Sequence, residues 1–154
     1  MASTSISTTN TATNNVDEQE RVEARRLWWA GPVTTVAAAL ATVIVREIGV
    51  LVGAVPPDLM LLQEPSVAIS TIVLVLVGTL VFAGIIRFAR RPVRTFQIVA
   101  VVALILSLFS PITAGLGWSP FVTLEPATVA ATMAMHLAAG LVTIPLLPAL
   151  ARAK

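Results

Sequence analysis

The chain contains no cysteine and no tyrosine, and its 154 residues include one histidine, His136. Without cysteine it forms no disulfide, thiolate metal site or thiol nucleophile. One histidine per chain also excludes a multi-histidine metal or haem site. Charged residues are scarce as well, at 12% against about 25% in typical soluble domains. Because 56% of the residues are hydrophobic, the composition indicates an integral membrane protein.

Basic residues exceed acidic residues only slightly, which gives a formal net charge of +2. No basic stripe is interleaved with aromatic residues, so we expect no nucleic-acid partner. Residues 1–24 are rich in serine, threonine and asparagine and have little apolar surface to bury. That composition predicts a disordered tail, and it leaves residues 25–154 as one membrane domain.

Four apolar segments follow the tail, at about residues 28–55, 66–88, 95–114 and 127–150. A helix needs about 20 residues to cross a bilayer at a rise of 1.5 Å per residue, and each segment reaches that length. The sequence therefore predicts an all-α fold, a four-helix bundle embedded in the membrane. The links are too short to hold a soluble domain.

Basic and acidic residues separate between alternate links. The links after the first and third segments carry carboxylates, including Asp58, Glu64 and Glu125, but neither lysine nor arginine. We expect these carboxylates to be solvated. The positive-inside rule then predicts both termini in the cytoplasm, with the lipid bilayer as the main partner. The basic residues are Arg21, Arg25 and Arg26 before the first span, Arg87, Arg90, Arg91 and Arg94 in the middle link, and Arg152 and Lys154 after the last span.

Arg46 and Glu47 lie side by side within the first apolar segment. Charge at membrane depth is costly, so these groups need partners or water. Counted from Val55 and Ala127, the predicted outer ends of their spans, Arg46 and His136 both lie about 13 Å deep. The equal depth predicts that Arg46, Glu47 and His136 meet in one buried polar cluster.

Small and polar residues line one face of the first and fourth spans. Gly49 and Gly53 have the spacing that lets helices approach closely. On the fourth span Thr128, Thr132, His136 and Gly140 recur every four residues. The pattern predicts that these two faces pack together, with Thr132 in the polar cluster and the three glycines in the helix contact. Glu47 is about 100° round the helix from Arg46, so we expect it to contact a different helix.

Two functions fit this pattern. The cluster is either a structural feature of a non-enzymatic accessory membrane protein, which we favour, or the proton site of a small carrier or sensor that uses Glu47 and His136. No nucleophile–base pair, phosphate loop or metal-ligand spacing is present, so neither an enzyme nor a cofactor is expected. A homo-oligomer and a membrane-protein partner both stay open.

The four spans, the arginine-bearing middle link and the last span, ATMAMHLAAGLVTIP, resemble a family of small bacterial four-helix membrane proteins of unknown function. The resemblance covers about residues 25–150, is carried most specifically by Met135, His136 and Pro145, and implies location in a bacterial plasma membrane. Small multidrug carriers also have four spans and a glutamate in the first. Their glutamate lies in an aromatic-lined pocket without an adjacent arginine, and this chain departs from that pattern.

Overall fold

The computed structural model describes residues 24–120 and 122–152, and in these residues the chain is all-helical. The predicted disordered tail lies outside the described residues, apart from Ala24. Short 3-10 turns occupy Ala24–Arg26 and Met60–Leu62. The α-helices are α1 (Leu27–Leu51), α2 (Glu64–Phe88), α3 (Pro92–Ser107), α4 (Phe109–Gly115) and α5 (Pro126–Ala151).

The first helix ends one turn earlier than the sequence predicts. Gly53 follows it with a φ of +71°, the left-handed conformation that commonly closes a helix. The Gly53 N–H donates to the carbonyl of Val50 at 3.0 Å, and the Val52 N–H donates to Ile48 at 3.0 Å. Two prolines, Pro56 and Pro57, come next. The chain therefore leaves the helix at Val52 rather than at Val55.

The third span is broken at Leu108, between α3 and α4. Pro111 lacks the N–H that would donate to the carbonyl four residues earlier, so it interrupts the helical hydrogen bonds there. The Ser107 hydroxyl donates to Leu104 at 2.8 Å just before the break. Taken together, α3 and α4 span Pro92–Gly115 and match the third predicted segment.

The helices form a ring in which α1 packs on α2 and α5, and α3 packs on the same two neighbours. One end of the bundle, here called the basic end, carries residues 24–26, the 89–91 link and Arg152. The opposite acidic end carries the 52–63 and 116–125 links. The Arg26 guanidinium donates to the Arg152 carbonyl at 3.0 Å, which joins the two ends of the described chain.

Most of the bundle's outer surface is apolar, as the large exposed side chains of α2 and α3 show. Within residues 24–120 and 122–152, four helical segments are long and apolar enough to cross a membrane: Leu27–Leu51, Glu64–Phe88, Pro92–Gly115 and Pro126–Ala151. In a bilayer such side chains face lipid at little cost, so interior packing and polar contacts hold the helices together.

Candidate functional site

Arg46 is a buried charged residue, only 7% exposed on the inner face of α1. Its Nε donates to the Leu62 carbonyl at 2.9 Å. Its Nη1 pairs with the carboxylate of Glu47 and lies 3.4 Å from Oε1 of Glu64. One guanidinium therefore binds its own helix, the 52–63 link and the first residue of α2.

The pairing of Arg46 with Glu47 corrects the expectation that Glu47 would contact a different helix. The arginine side chain is long and flexible enough to reach a carboxylate about 100° round the helix. The Glu47 and Glu64 side chains stay 46% and 62% exposed, so each carboxylate is also available to solvent.

Glu64 is exposed, as expected, but sequence reasoning missed its contact with Arg46. Its signal is Pro65 directly after it, because proline favours the first turn of a helix. The pair identifies Glu64 as the start of α2 and therefore as an acidic residue at the membrane boundary beside Arg46.

In the described part of the chain, no hydrogen bond or ion pair joins His136 to Arg46 or Glu47, with which it was predicted to meet. Gly49 of α1 lies beside Ala131 of α5, so Arg46 and His136 lie three and five residues further into the bundle, at depths that differ by about 3 Å. The ionic cluster therefore consists of Arg46, Glu47 and Glu64, and His136 lies outside it.

His136 and Thr132 instead line a cavity of about 470 Å³ in the acidic half of the bundle, within the roughly 300–1,000 Å³ range of ligand pockets. Arg46 and Glu47 are not among the lining residues. The wall is largely apolar, and its polar part consists of seven hydroxyls and one imidazole, from Thr42, Ser66, Ser70, Thr71, Ser110, Ser119, Thr132 and His136.

The three glycines predicted to support helix contacts fall in three different places. A Cβ on Gly49 would lie 2.8 Å from Val55 Cγ2 and 3.5 Å from Ala131, so Gly49 allows α5 and the returning link to approach α1. Gly53 is a helix-ending residue with nothing within 4 Å, and the packing role predicted for it is wrong. Gly140 approaches Leu104 of α3 rather than α1.

Hydroxyl groups join α1 to its two neighbours. The hydroxyls of Thr42 on α1 and Thr71 on α2 lie 3.2 Å apart. On the other side, Thr128 of α5 donates to the carbonyl of Ala54 at 2.8 Å. The predicted contact between the polar faces of α1 and α5 therefore includes Gly49, Thr128 and the link after α1.

The arginines of the middle link, Arg87, Arg90, Arg91 and Arg94, are all exposed at the basic end. The described residues hold no group of three or more histidine, aspartate or glutamate side chains suited to a metal ion. The candidate sites are therefore two: the ionic cluster of Arg46, Glu47 and Glu64, and the hydroxyl-lined cavity beside His136.

Comparison with known proteins identifies a family for this chain but gives no activity. No curated protein and no solved structure matches the chain. One family model matches residues 22–153, which include all four membrane-length helical segments and both candidate sites. The chain therefore belongs to DUF6069, a family of unknown function.

Proposed function

We propose that the protein is a multi-pass protein of a bacterial plasma membrane with both termini in the cytoplasm. The support is the division of charge between the two ends of the bundle. The basic end carries Arg25, Arg26, Arg152 and the arginines of the middle link, whereas the acidic end carries the exposed carboxylates. Positive charge near span ends is retained on the cytoplasmic side.

Within that membrane the protein acts as a non-enzymatic structural or accessory component, and the ionic cluster serves its fold. The supporting observation is that Arg46 has all its partners close by at the acidic end. The guanidinium holds the Leu62 carbonyl and two carboxylates, so it ties the 52–63 link to α1 and α2. A buried arginine with such partners is neutralised and needs no ligand.

The experiment compares Arg46→Met with Arg94→Met in purified protein reconstituted into liposomes. Arg46→Met should lower the free energy of unfolding by about 2 kcal/mol, because the Leu62 carbonyl loses its donor and two carboxylates lose their counter-charge. Arg94 is exposed at the basic end, so Arg94→Met should change stability by less than about 0.5 kcal/mol. Equal stability of the two variants would contradict the structural role of Arg46.

A small proton-linked carrier or sensor is the second candidate, and the cavity beside His136 favours it. The same liposomes test it through a pH-sensitive dye trapped inside. A structural protein gives no proton flux above empty liposomes. A carrier gives flux that His136→Ala abolishes and that Glu47→Gln lowers, in both cases without loss of the folded state. Because Glu47 does not line the cavity, the His136 variant should have the larger effect if the protein is a carrier.

A further inference from the structure

The hydroxyl-lined cavity adjoins a second cavity deeper in the bundle. The second is an apolar groove of about 210 Å³ between α2, α3 and α5. Leu74, His136 and Ala139 line both spaces, so the two meet at the level of the imidazole. A polar chamber therefore lies towards the acidic end, with an apolar groove running from it towards the middle of the membrane.

Both spaces open sideways at the surface that faces lipid. Ser70 on α2 and Ser110 on α4 are exposed at the edge of the polar chamber. Val77 and Val99, which line the groove, are exposed on α2 and α3. A molecule in the surrounding leaflet can therefore enter from the side without passing through either link.

The wall of the polar chamber offers both hydrogen-bond acceptors and donors. A serine or threonine hydroxyl has one proton to donate, and four of the lining hydroxyls use it on the backbone, which leaves their oxygen lone pairs to accept. The neutral imidazole of His136 has one nitrogen that donates and one that accepts, so an occupant with both a hydroxyl and carbonyl oxygens suits this wall. The donations are Ser66 to Met60 at 3.1 Å, Ser70 to Val67 at 3.0 Å, Thr71 to Val67 at 2.8 Å and Thr132 to Thr128 at 2.8 Å.

The charges around the chamber argue against an anionic headgroup. No lysine or arginine lines it, and Arg46 is engaged by Glu47 and Glu64. A phosphate in the chamber would carry a negative charge without a cationic side chain beside it, which is costly. A cationic headgroup is disfavoured too, because no carboxylate lines the chamber and an ammonium buried without one is costly.

We propose that the two cavities form one binding site for an uncharged lipid of the diacylglycerol type. Its hydroxyl-bearing headgroup occupies the chamber beside Thr132 and His136, and a hydrocarbon chain lies in the groove. The site rests on the membrane placement proposed above but not on the orientation of the bundle or on the role of Arg46.

Native mass spectrometry of the detergent-purified protein tests the site with two probes of equal chain length, a diacylglycerol and a phosphatidylglycerol. The diacylglycerol should bind at a ratio of one to one and about tenfold more tightly than the phosphatidylglycerol. Equal or tighter binding of the phosphatidylglycerol would overturn the assignment of an uncharged headgroup. Binding of neither lipid would overturn the site.

Two pairs of variants locate the lipid. Thr132→Val removes a hydrogen-bond acceptor from the chamber and should weaken diacylglycerol binding about fivefold. Thr113→Val should leave binding unchanged, because Thr113 bonds within its own helix and lines neither cavity.

Gly78→Leu should fill the groove and weaken binding at least tenfold. Gly84→Leu is its matched control, since a Cβ at either glycine meets nothing within 4 Å and Gly84 lies outside both cavities.

Thermal unfolding checks that each variant is folded. If Gly78→Leu is not, Ala103→Leu fills the same groove from α3 and takes its place. Binding that survives filling of the groove would overturn the position of the chain. If the diacylglycerol fails to bind while Arg46→Met still lowers stability, only the lipid site is wrong and the structural function stands.

Discussion

The two ends of the bundle are stabilised by different physical means. At the basic end the charges stay outside and the interior is apolar, with Leu27, Ala30, Phe82, Phe96 and Leu147 packed together. At the acidic end the buried residues include the charged side chain of Arg46. The apolar cluster at this end is smaller and includes Val55, Leu62 and Met135. One end is held by close packing of side chains and the other by a polar connection between links and helices.

The difference follows from the lengths of the links. The 89–91 link at the basic end is a short connection, so α2 and α3 are brought together directly and their aromatic rings pack. Phe82 and Phe96 have ring centroids 4.5 Å apart. The 52–63 link is longer and needs partners for its backbone, which Arg46 and Thr128 supply by binding Leu62 and Ala54. The polar residues of the acidic end are thus explained by the backbone they satisfy.

The largest expected effect is at the basic end. Phe82→Ala removes a fully buried ring and leaves a cavity against Phe96, so the free energy of unfolding should fall by about 3 kcal/mol. Phe88→Ala is the matched control on the same helix, since that ring is 85% exposed and its removal should cost less than about 0.5 kcal/mol. Denaturant titration in detergent micelles measures both. Equal losses in the two variants would mean that close packing does not hold this end.

A smaller loss of stability is expected from a change where α5 contacts the 52–63 link. Thr128→Val keeps the shape of the side chain but leaves the Ala54 carbonyl without its donor, which should cost about 1 kcal/mol. Thr113→Val serves as control, because its hydroxyl bonds only to Ser110 of its own helix. Denaturant titration in detergent micelles measures the stability of both variants. The rate of amide hydrogen exchange in the 52–63 link should rise in Thr128→Val alone. Unchanged exchange there would show that the link is held by Arg46 without Thr128.

The four spans were predictable because length and hydropathy decide them, and the described residues contain four helical segments long and apolar enough to cross a membrane. The end of α1 was misjudged for a definite reason. A glycine four residues after another looks the same whether it packs against a helix or terminates one. Pro56 and Pro57 just after Gly53 were the available signal that the helix had ended.

The partners of Arg46 were less accessible to sequence reasoning. A backbone carbonyl such as that of Leu62 has no signature in the sequence, because any residue of the link supplies one. The cavity beside His136 depends on how far α2 stands from α4 and α5, which hydropathy does not encode. The i, i+4 spacing of Ser66 and Ser70 was the one sign that α2 carries a polar stripe at the acidic end.

The smallest expected effects come from the two carboxylates on Arg46, and they test whether the acidic end acts as one unit. Glu47→Gln and Glu64→Gln should each cost about 0.5 kcal/mol or less, because both side chains are about half exposed and the other carboxylate remains on the guanidinium.

The double variant should cost more than the sum of the two, since Arg46 then keeps only the Leu62 carbonyl as a partner. Raising the salt concentration should reduce the effect of each single variant by screening the exposed carboxylates, and it should leave the effect of Phe82→Ala unchanged. Strict additivity would mean that the two carboxylates act independently. The acidic end would then resemble a set of surface ion pairs rather than a structure organised around one buried arginine.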